Sequence, residues 1–182
     1  MIRPDLLRAL RADHWERAEH GILFPRQRAL VQGIFSWSVN GGPRRRQHNI
    51  ITDVGVAWIA ADTFPAALYG AIFEDDVTPT AAWTGAGFPA AAGELTSGTE
   101  GYVEATRPAW PDVNGAAPME FNIRTATALT VCGFGILTDD TKGDTTGDLF
   151  SAMRFSDAPA SYDDHDILDV YYAIETVHVP AA

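Results

Sequence analysis

From residue 30 the chain alternates apolar and polar positions with a period of two. Val31, Gly33, Phe35, Trp37 and Val39 interleave with Gln32, Ile34, Ser36 and Ser38, which predicts a strand. Asn40-Gly41-Gly42-Pro43 comes next, and since Asn and Gly adopt positive φ at little cost, it predicts a tight turn. Arg44 to Ile51 then returns as the second strand of a hairpin, its arginines on an edge or an exposed face. Thr52-Asp53 marks a helix start, with Val54, Trp58, Ile59 and Ala61 at helical spacing and Pro65 beyond its end. Ala67 to Phe73 is almost continuously apolar and predicts a buried central strand. Residues 75 to 101 show no period and predict a long loop or a set of short turns, pinned by Trp83 and Phe88.

The last third is strand after strand. Met119, Phe121 and Ile123 alternate with Glu120, Asn122 and Arg124 as in a half-buried strand. Leu129 to Leu137 is apolar on both faces, with Gly133 and Gly135 marking close approach, so it should be central. Asp139 to Asp148 reads as a turn region, Leu149 to Phe155 as a strand, and Ile167 to Val179 as a long closing strand. About seven strands with turn signals between them predict a mainly β body over residues 29–182, an antiparallel β-sandwich or jelly-roll-like domain with one short internal helix. Residues 1–28 form a separate helical or extended arm. Within it Pro4 to Glu19 reads as a helix that places Leu6, Leu7, Leu10 and Trp15 near one face, with Gly21 as its stop.

Charge sharpens this division. Residues 1–46 carry nine arginines against four acids, while residues 47–182 carry four basic residues against twenty acids, for a net charge of −11. An acidic body repels phosphate backbones, so direct nucleic-acid contact is not expected, and the Arg44-Arg45-Arg46 triplet lacks interleaved aromatics. The basic arm is matched instead to an acidic protein surface or to a second copy of the chain. Over 182 residues the 46% hydrophobic content is that of a globular domain, no apolar run has the length of a membrane span, and the single Cys132 excludes an internal disulfide.

Catalytic chemistry finds few candidates. No Gly-x-Ser-x-Gly elbow exposes a hydroxyl, and His14, His20, His48, His165 and His178 lack a metal-ligand spacing. Cys132 lies inside an apolar strand and reads as a buried structural thiol. Two acidic clusters, Asp139 to Asp148 and Asp163 to Asp169, contain oxygen-ligand types, but neither has the EF-hand spacing and both read better as Asp-rich turns. The expectation is a protein with no enzymatic activity, cofactor or metal. Trp37 and Trp58 sit on periodic faces and belong to a core, whereas Trp15, Trp83 and Trp110 lie in the arm or in loops, where burial against a partner is an option.

Several segments resemble small structural proteins of tailed bacteriophages. Asn49-Ile50-Ile51-Thr52-Asp53-Val54-Gly55 with Trp58-Ile59-Ala60 is similar to the opening of their pattern, and Tyr69 to Phe73 with Val77-Thr78-Pro79 is similar to its next strand and turn. The most specific segment is Tyr102-Val103-Glu104-Ala105-Thr106-Arg107-Pro108-Ala109-Trp110, which resembles a "Y-x-E-A-T-R-P-x-W" signature. Phe121 to Ile123, Gly133 to Leu137 and Thr146 to Phe155 keep the order, so the likeness spans residues 30 to 179 and leaves out the arm. Ala67-Leu68-Tyr69 departs from the Trp-Tyr of the pattern.

The resemblance implies a non-enzymatic capsid decoration (cement) protein on the outer surface of the virion. Its partners would be the major capsid protein and itself, as a dimer or trimer, with no catalytic residue carried over. It also implies a structural job for Arg107 and Trp110, with Arg107-Pro108 fixing an extended turn that Trp110 covers. The residues expected to hold the partner are Arg3, Leu6, Leu7, Arg8, Leu10, Arg11, Trp15, Arg17, Arg26 and Arg28 of the arm, then Arg44, Arg45, Arg46 and Trp83. A tail, neck or fibre component is the alternative position in the virion. A carbohydrate-binding module or an enzyme is a further one, for which only Trp83, Phe88 and Trp110 offer loose candidates.

Overall fold

The Asn40-Gly41 turn folds the chain as its sequence predicts. Both residues have positive φ, 52° and 68°, and they join strand β3 (Arg28–Val39) to β4 (Arg45–Ile51) in an antiparallel hairpin. The computed structural model describes residues 15–17, 23–25, 28–111 and 116–179, with side-chain surroundings from 31 to 111 and 116 to 175. Before the hairpin, β1 (Trp15–Arg17) pairs antiparallel with β2 (Leu23–Pro25). The helix expected over Pro4 to Glu19 is therefore corrected at its C-terminal part, where Trp15–Arg17 is extended. Its earlier part lies outside the described residues.

Thr52 starts α1 (Asp53–Ala61), its hydroxyl accepting the Gly55 N–H at 3.1 Å and donating to the Leu149 carbonyl at 2.5 Å. Then come β5 (Tyr69–Phe73), a short helix α2 (Phe88–Ala92), β6 (Gly101–Tyr102) and β7 (Met119–Arg124). β8 (Leu129–Val131), β9 (Gly133–Leu137), β10 (Leu149–Arg154), β11 (Ala160–Tyr162) and β12 (Ile167–Val179) complete the described elements. The chain has more and shorter strands than the seven expected, and α2 adds a second helix. The extra pieces arise where one apolar run serves two ladders. Leu129 to Leu137 is broken at Cys132, so that β8 pairs with β11 and β9 with β5 and β10.

Eight strands form one antiparallel sheet in the order β5-β9-β10-β4-β3-β12-β7-β6. The sheet curls until strands near its two ends face each other across the interior. Phe134 on β9, second in the order, touches Phe121 on β7, seventh, with ring centroids 5.8 Å apart, and Phe35 of β3 lies 4.8 Å from Phe134. Around them Tyr172, Phe150, Trp37 and Phe155 fill the interior, all at 1% exposure or less. β5 is not central, as its apolar run suggested, but the first strand of the sheet. Its outer edge is covered by irregular chain: Leu95 N donates to the Ile72 carbonyl at 3.0 Å, Gly70 N to that of Pro108 at 2.8 Å, and Trp110 N donates to that of Leu68 at 2.7 Å. Irregular backbone buries a strand edge as well as a strand does, and apolar content does not distinguish the two.

β9 is buried on both faces, as Leu129 to Leu137 predicts. One face joins the interior and the other a second cluster of Ala71, Phe73, Phe88, Ala92 and Leu137, roofed by α2 and half-buried Trp83. Gly133 has no room for a side chain, because a Cβ would run into the Met153 carbonyl oxygen and the Phe73 ring. Gly133→Ala is expected to lower stability by about 1–3 kcal/mol in urea unfolding, by forcing β10 or Phe73 outward. Gly98→Ala, where a Cβ meets nothing, is expected to be neutral or slightly stabilising.

Candidate functional site

The segment that resembles the phage signature is the part that closes the sheet. Between Gly93 and Trp110 the chain runs along the outer edge of β5, crosses to form β6 beside β7 at the far end of the order, and returns to β5. Both passes along β5 are tied by one ion pair. Arg107 Nε and Nη2 donate to Glu94 Oε1 and Oε2 at 2.8 and 2.7 Å, and both side chains are wholly buried. Arg107 Nη1 donates to the Asp139 carbonyl at 2.9 Å, and the Gly143 N–H donates to Glu94 Oε2 at 3.1 Å, so the Asp139–Asp148 loop is pinned to the same pair. Arg107 has a structural role, as expected, through a partner that no motif in the sequence singles out. The one signal for Glu94 is a lone carboxylate in an otherwise uncharged run from Val77 to Thr99.

Trp110 is half-buried within its own chain. Its Nε1 donates to the Tyr172 carbonyl at 3.2 Å and its ring meets those of Tyr172 and Phe150. Burial pushes the Tyr172 phenol up to about 12, while Ser151 and Asn49 beside the hydroxyl pull the other way. Cys132 is fully buried, and burial pushes its thiol up, with Asp76 and its neighbours adding to the shift. Burial and the raised thiol both disfavour the thiolate that reaction needs.

The first acidic cluster caps its own turns, and the second ties its turn to distant chain. Asp139 Oδ1 accepts from Thr141 N at 2.7 Å, and Asp144 Oδ1 accepts from the N–H and hydroxyl of Thr146 at 2.5 and 2.6 Å. Those bonds hold the Asp144 carboxyl below its usual value. Lys142 leaves the loop altogether: its Nζ donates to the Tyr102 carbonyl at 2.8 Å and sits 3.6 Å above that ring. In the second cluster Asp166 accepts from Asn40 Nδ2 at 2.7 Å and Asp164 from Thr125 N at 3.2 Å. A guanidinium only donates, so His165 Nδ1, 2.5 Å from Arg124 Nη1, is an acceptor and His165 Nε2 is left to face Asp164 at 3.1 Å. Among the described residues no three His, Cys, Asp or Glu side chains are grouped to hold a metal ion, and no helix is long and apolar enough to cross a membrane. A shallow groove of about 430 Å³ runs past Glu74, Leu95, Ser97, Glu100 and Thr130. Its Glu100 carboxylate is taken up by Thr125 Oγ1 and Ala126 N, and its Glu94 by Arg107.

The expected partner-binding residues divide into three groups. Arg3, Leu6, Leu7, Arg8, Leu10, Arg11 and Arg26 lie outside the described residues, and Trp15, Arg17 and Arg28 are placed by backbone alone, on β1 and β3. Arg44, Arg45 and Arg46 are exposed but occupied: Arg44 stacks 3.6 Å over Tyr171, Arg45 pairs with Asp157, and Arg46 with Glu175 at 2.6 Å. Trp83 packs against Phe88. The body's own cations are engaged as well, Arg107 by Glu94, Arg124 by His165 and Asp164, Lys142 by Tyr102 and Arg154 by Asp76. The carboxylates outnumber them. On the outer face Glu120 stands directly opposite Asp169 across the β7–β12 ladder.

Comparison with protein-family models, curated proteins and solved structures finds no match to this chain.

Two measurements check this geometry. Glu94→Ala leaves Arg107 buried without its anion and is expected to cost about 3–5 kcal/mol in chemical unfolding, whereas Arg107→Met with Glu94→Leu together should cost less than that single change. Asp169 is held above its ordinary 3.8, first by partial burial and then by Glu120. A carboxyl raised in the folded state opposes folding once ionised, so stability from this site is present below 3.8 and is lost as pH rises through the raised value. Asp169→Asn should therefore stabilise the fold at neutral pH, by under about 1 kcal/mol in urea unfolding for a group still in contact with solvent, and the gain should vanish in acid.

Proposed function

We propose that this chain is a virion structural protein of a tailed bacteriophage that decorates the outside of the capsid, binding the major capsid protein through its N-terminal arm. The observation that carries the reading is that the described cations of the body are already spent within it. Every Arg and Lys side chain described within residues 31–175 has an anionic, aromatic or carbonyl partner in its own chain. The remaining arginines, Arg3, Arg8, Arg11, Arg17, Arg26 and Arg28, all belong to residues 1–28. A rigid, acidic body with a separate source of guanidinium groups suits attachment to a carboxylate-bearing protein lattice, where Arg gives bidentate contacts and repetition adds avidity.

The phage resemblance supports the same reading, since its most specific segment, Tyr102 to Trp110, holds the two passes of chain along β5 together. In this reading the curled sheet is a jelly-roll-like sandwich, its role is non-enzymatic, and Trp83 serves the body rather than the partner. Quantitative mass spectrometry of purified particles is the test. A ratio to the major capsid protein near one, or near about one in three as a symmetric lattice allows, is the expected result. Deletion of residues 1–28 should then release the chain from the shell. A few copies per particle would move it to the neck, tail or fibre, and absence from particles would overturn the virion reading.

A further inference from the structure

The Asn40-Gly41 turn is bound by its side chain to the turn that opens β12. The β3–β12 ladder runs from Arg28 opposite Val179 to Val39 opposite Leu168. One rung further, the Asn40 N–H donates to the Ile167 carbonyl at 2.9 Å, and the Ile167 N–H donates at 2.9 Å to Asn40 Oδ1, a side-chain oxygen in place of a main-chain one. Asn40 Nδ2 then donates to Asp166 Oδ1 at 2.7 Å. The acceptor is itself held, since Asp166 Oδ2 accepts from the Asp163 N–H at 2.8 Å and the Asp166 N–H donates to the Asp163 carbonyl at 3.1 Å. Both polar atoms of the Asn40 amide are thus committed to a turn 126 residues away.

The same dipeptide is open to attack on its own side chain. Asn40 is exposed, and Gly41 has no Cβ to keep its main-chain nitrogen from the Asn40 Cγ. When that nitrogen bonds to Cγ, the Cγ–Nδ2 bond breaks and ammonia leaves with the Gly41 amide proton. Water then opens the cyclic imide to aspartate or to isoaspartate. The attack turns Cγ onto its own main chain, which draws Oδ1 away from Ile167, and the departure of Nδ2 removes the donor to Asp166. We propose that Asn40 is a deamidation site held shut by Asp166 and Ile167, and that its conversion unties the two turns.

The product cannot replace what is lost. A carboxylate has no N–H to offer Asp166, and at position 40 it would stand within hydrogen-bond distance of a second carboxylate. The isoaspartate form also adds one carbon to the main chain of a turn whose two left-handed residues, at φ 52° and 68°, set the register of β3 against β4. Asp166 is a positioning residue here, since it takes no part in the bonds made or broken. The inference concerns the body alone and stands apart from the capsid reading.

The test compares the rate of Asn40 conversion in the folded full chain with that in the same chain unfolded in urea, by peptide mass spectrometry that separates aspartate from isoaspartate. Two hydrogen bonds, one of them to a charged group, should slow it by about tenfold or more in the folded chain. Asp166→Ala should speed the folded-state rate several-fold, and Asp166→Asn, which keeps an acceptor, should not. Gly133→Ala strains the sheet elsewhere and should leave the rate at Asn40 unchanged, so it separates local release from general unfolding if Asp166→Ala also melts lower. Asn40→Asp should lower the urea midpoint, and adding Asp166→Asn to it should restore most of the loss by exchanging donor and acceptor. Equal rates in the folded and unfolded chain, an unchanged rate in Asp166→Ala, as large a rise in Gly133→Ala, or an Asn40→Asp chain as stable as the parent would each overturn the inference.

Discussion

Arg107 and Glu94 meet in a place from which water is excluded, and the curl of the sheet depends on their meeting. Taking two charges out of water costs several kcal/mol each, and the cost is offset only when geometry is good and the remaining donors and acceptors are filled. Here the contact is bidentate, and the Asp139 carbonyl and the Gly143 N–H fill what is left. The pair joins the two passes of chain along β5, and the strand between them, β6, is the other end of the sheet. One interaction therefore fixes the start of the ladder, its finish and the loop above both.

The aromatic interior is a consequence of that closure. Phe134 can touch Phe121 only because β9 and β7, distant in the sheet order, are brought face to face. From Phe134 a run of mostly edge-to-face ring contacts continues through Phe35 and Tyr172 to Phe150 and Trp110. The polar groups inside have partners remote in sequence. Ser151 and Asn49 sit beside the Tyr172 hydroxyl, and Thr52 caps α1 while bonding to the strand beneath.

How much of this was legible in the sequence depended on range. The Asn40-Gly41 turn, the Thr52 cap, the alternation of Met119 to Arg124 and the two-faced burial of β9 are set by neighbours a few residues away, and each stands as the pattern predicts. The edge position of β5 was not legible, because Gly93–Leu95 and Pro108–Trp110 cover it with chain that has no period. Trp110 belongs to the interior although it lies in a loop, since the loop passes over Tyr172. The extended Trp15–Arg17 runs against a helical reading built on Leu6, Leu7 and Leu10, where propensity gave way to pairing with Leu23–Pro25. The arginine triplet looked free because its partners, Tyr171, Asp157 and Glu175, lie more than a hundred residues downstream. Charge count locates an excess, but only the fold shows which cations are already spent.

The long pairing of β3 with β12 also decides how the body bears load. Arg28 and Val179 are neighbours across one ladder, so the described chain enters and leaves the body at a single pole. Tension applied between those two points peels the ladder one rung at a time, as a zip opens, with each rung resisting alone. Tension between the arm and the far side of the body instead runs along the strands and loads many rungs in shear together. The same domain is thus mechanically soft between its two chain exits and stiff between the arm and the sheet, so its resistance to force is set by the direction of the pull rather than by its overall stability.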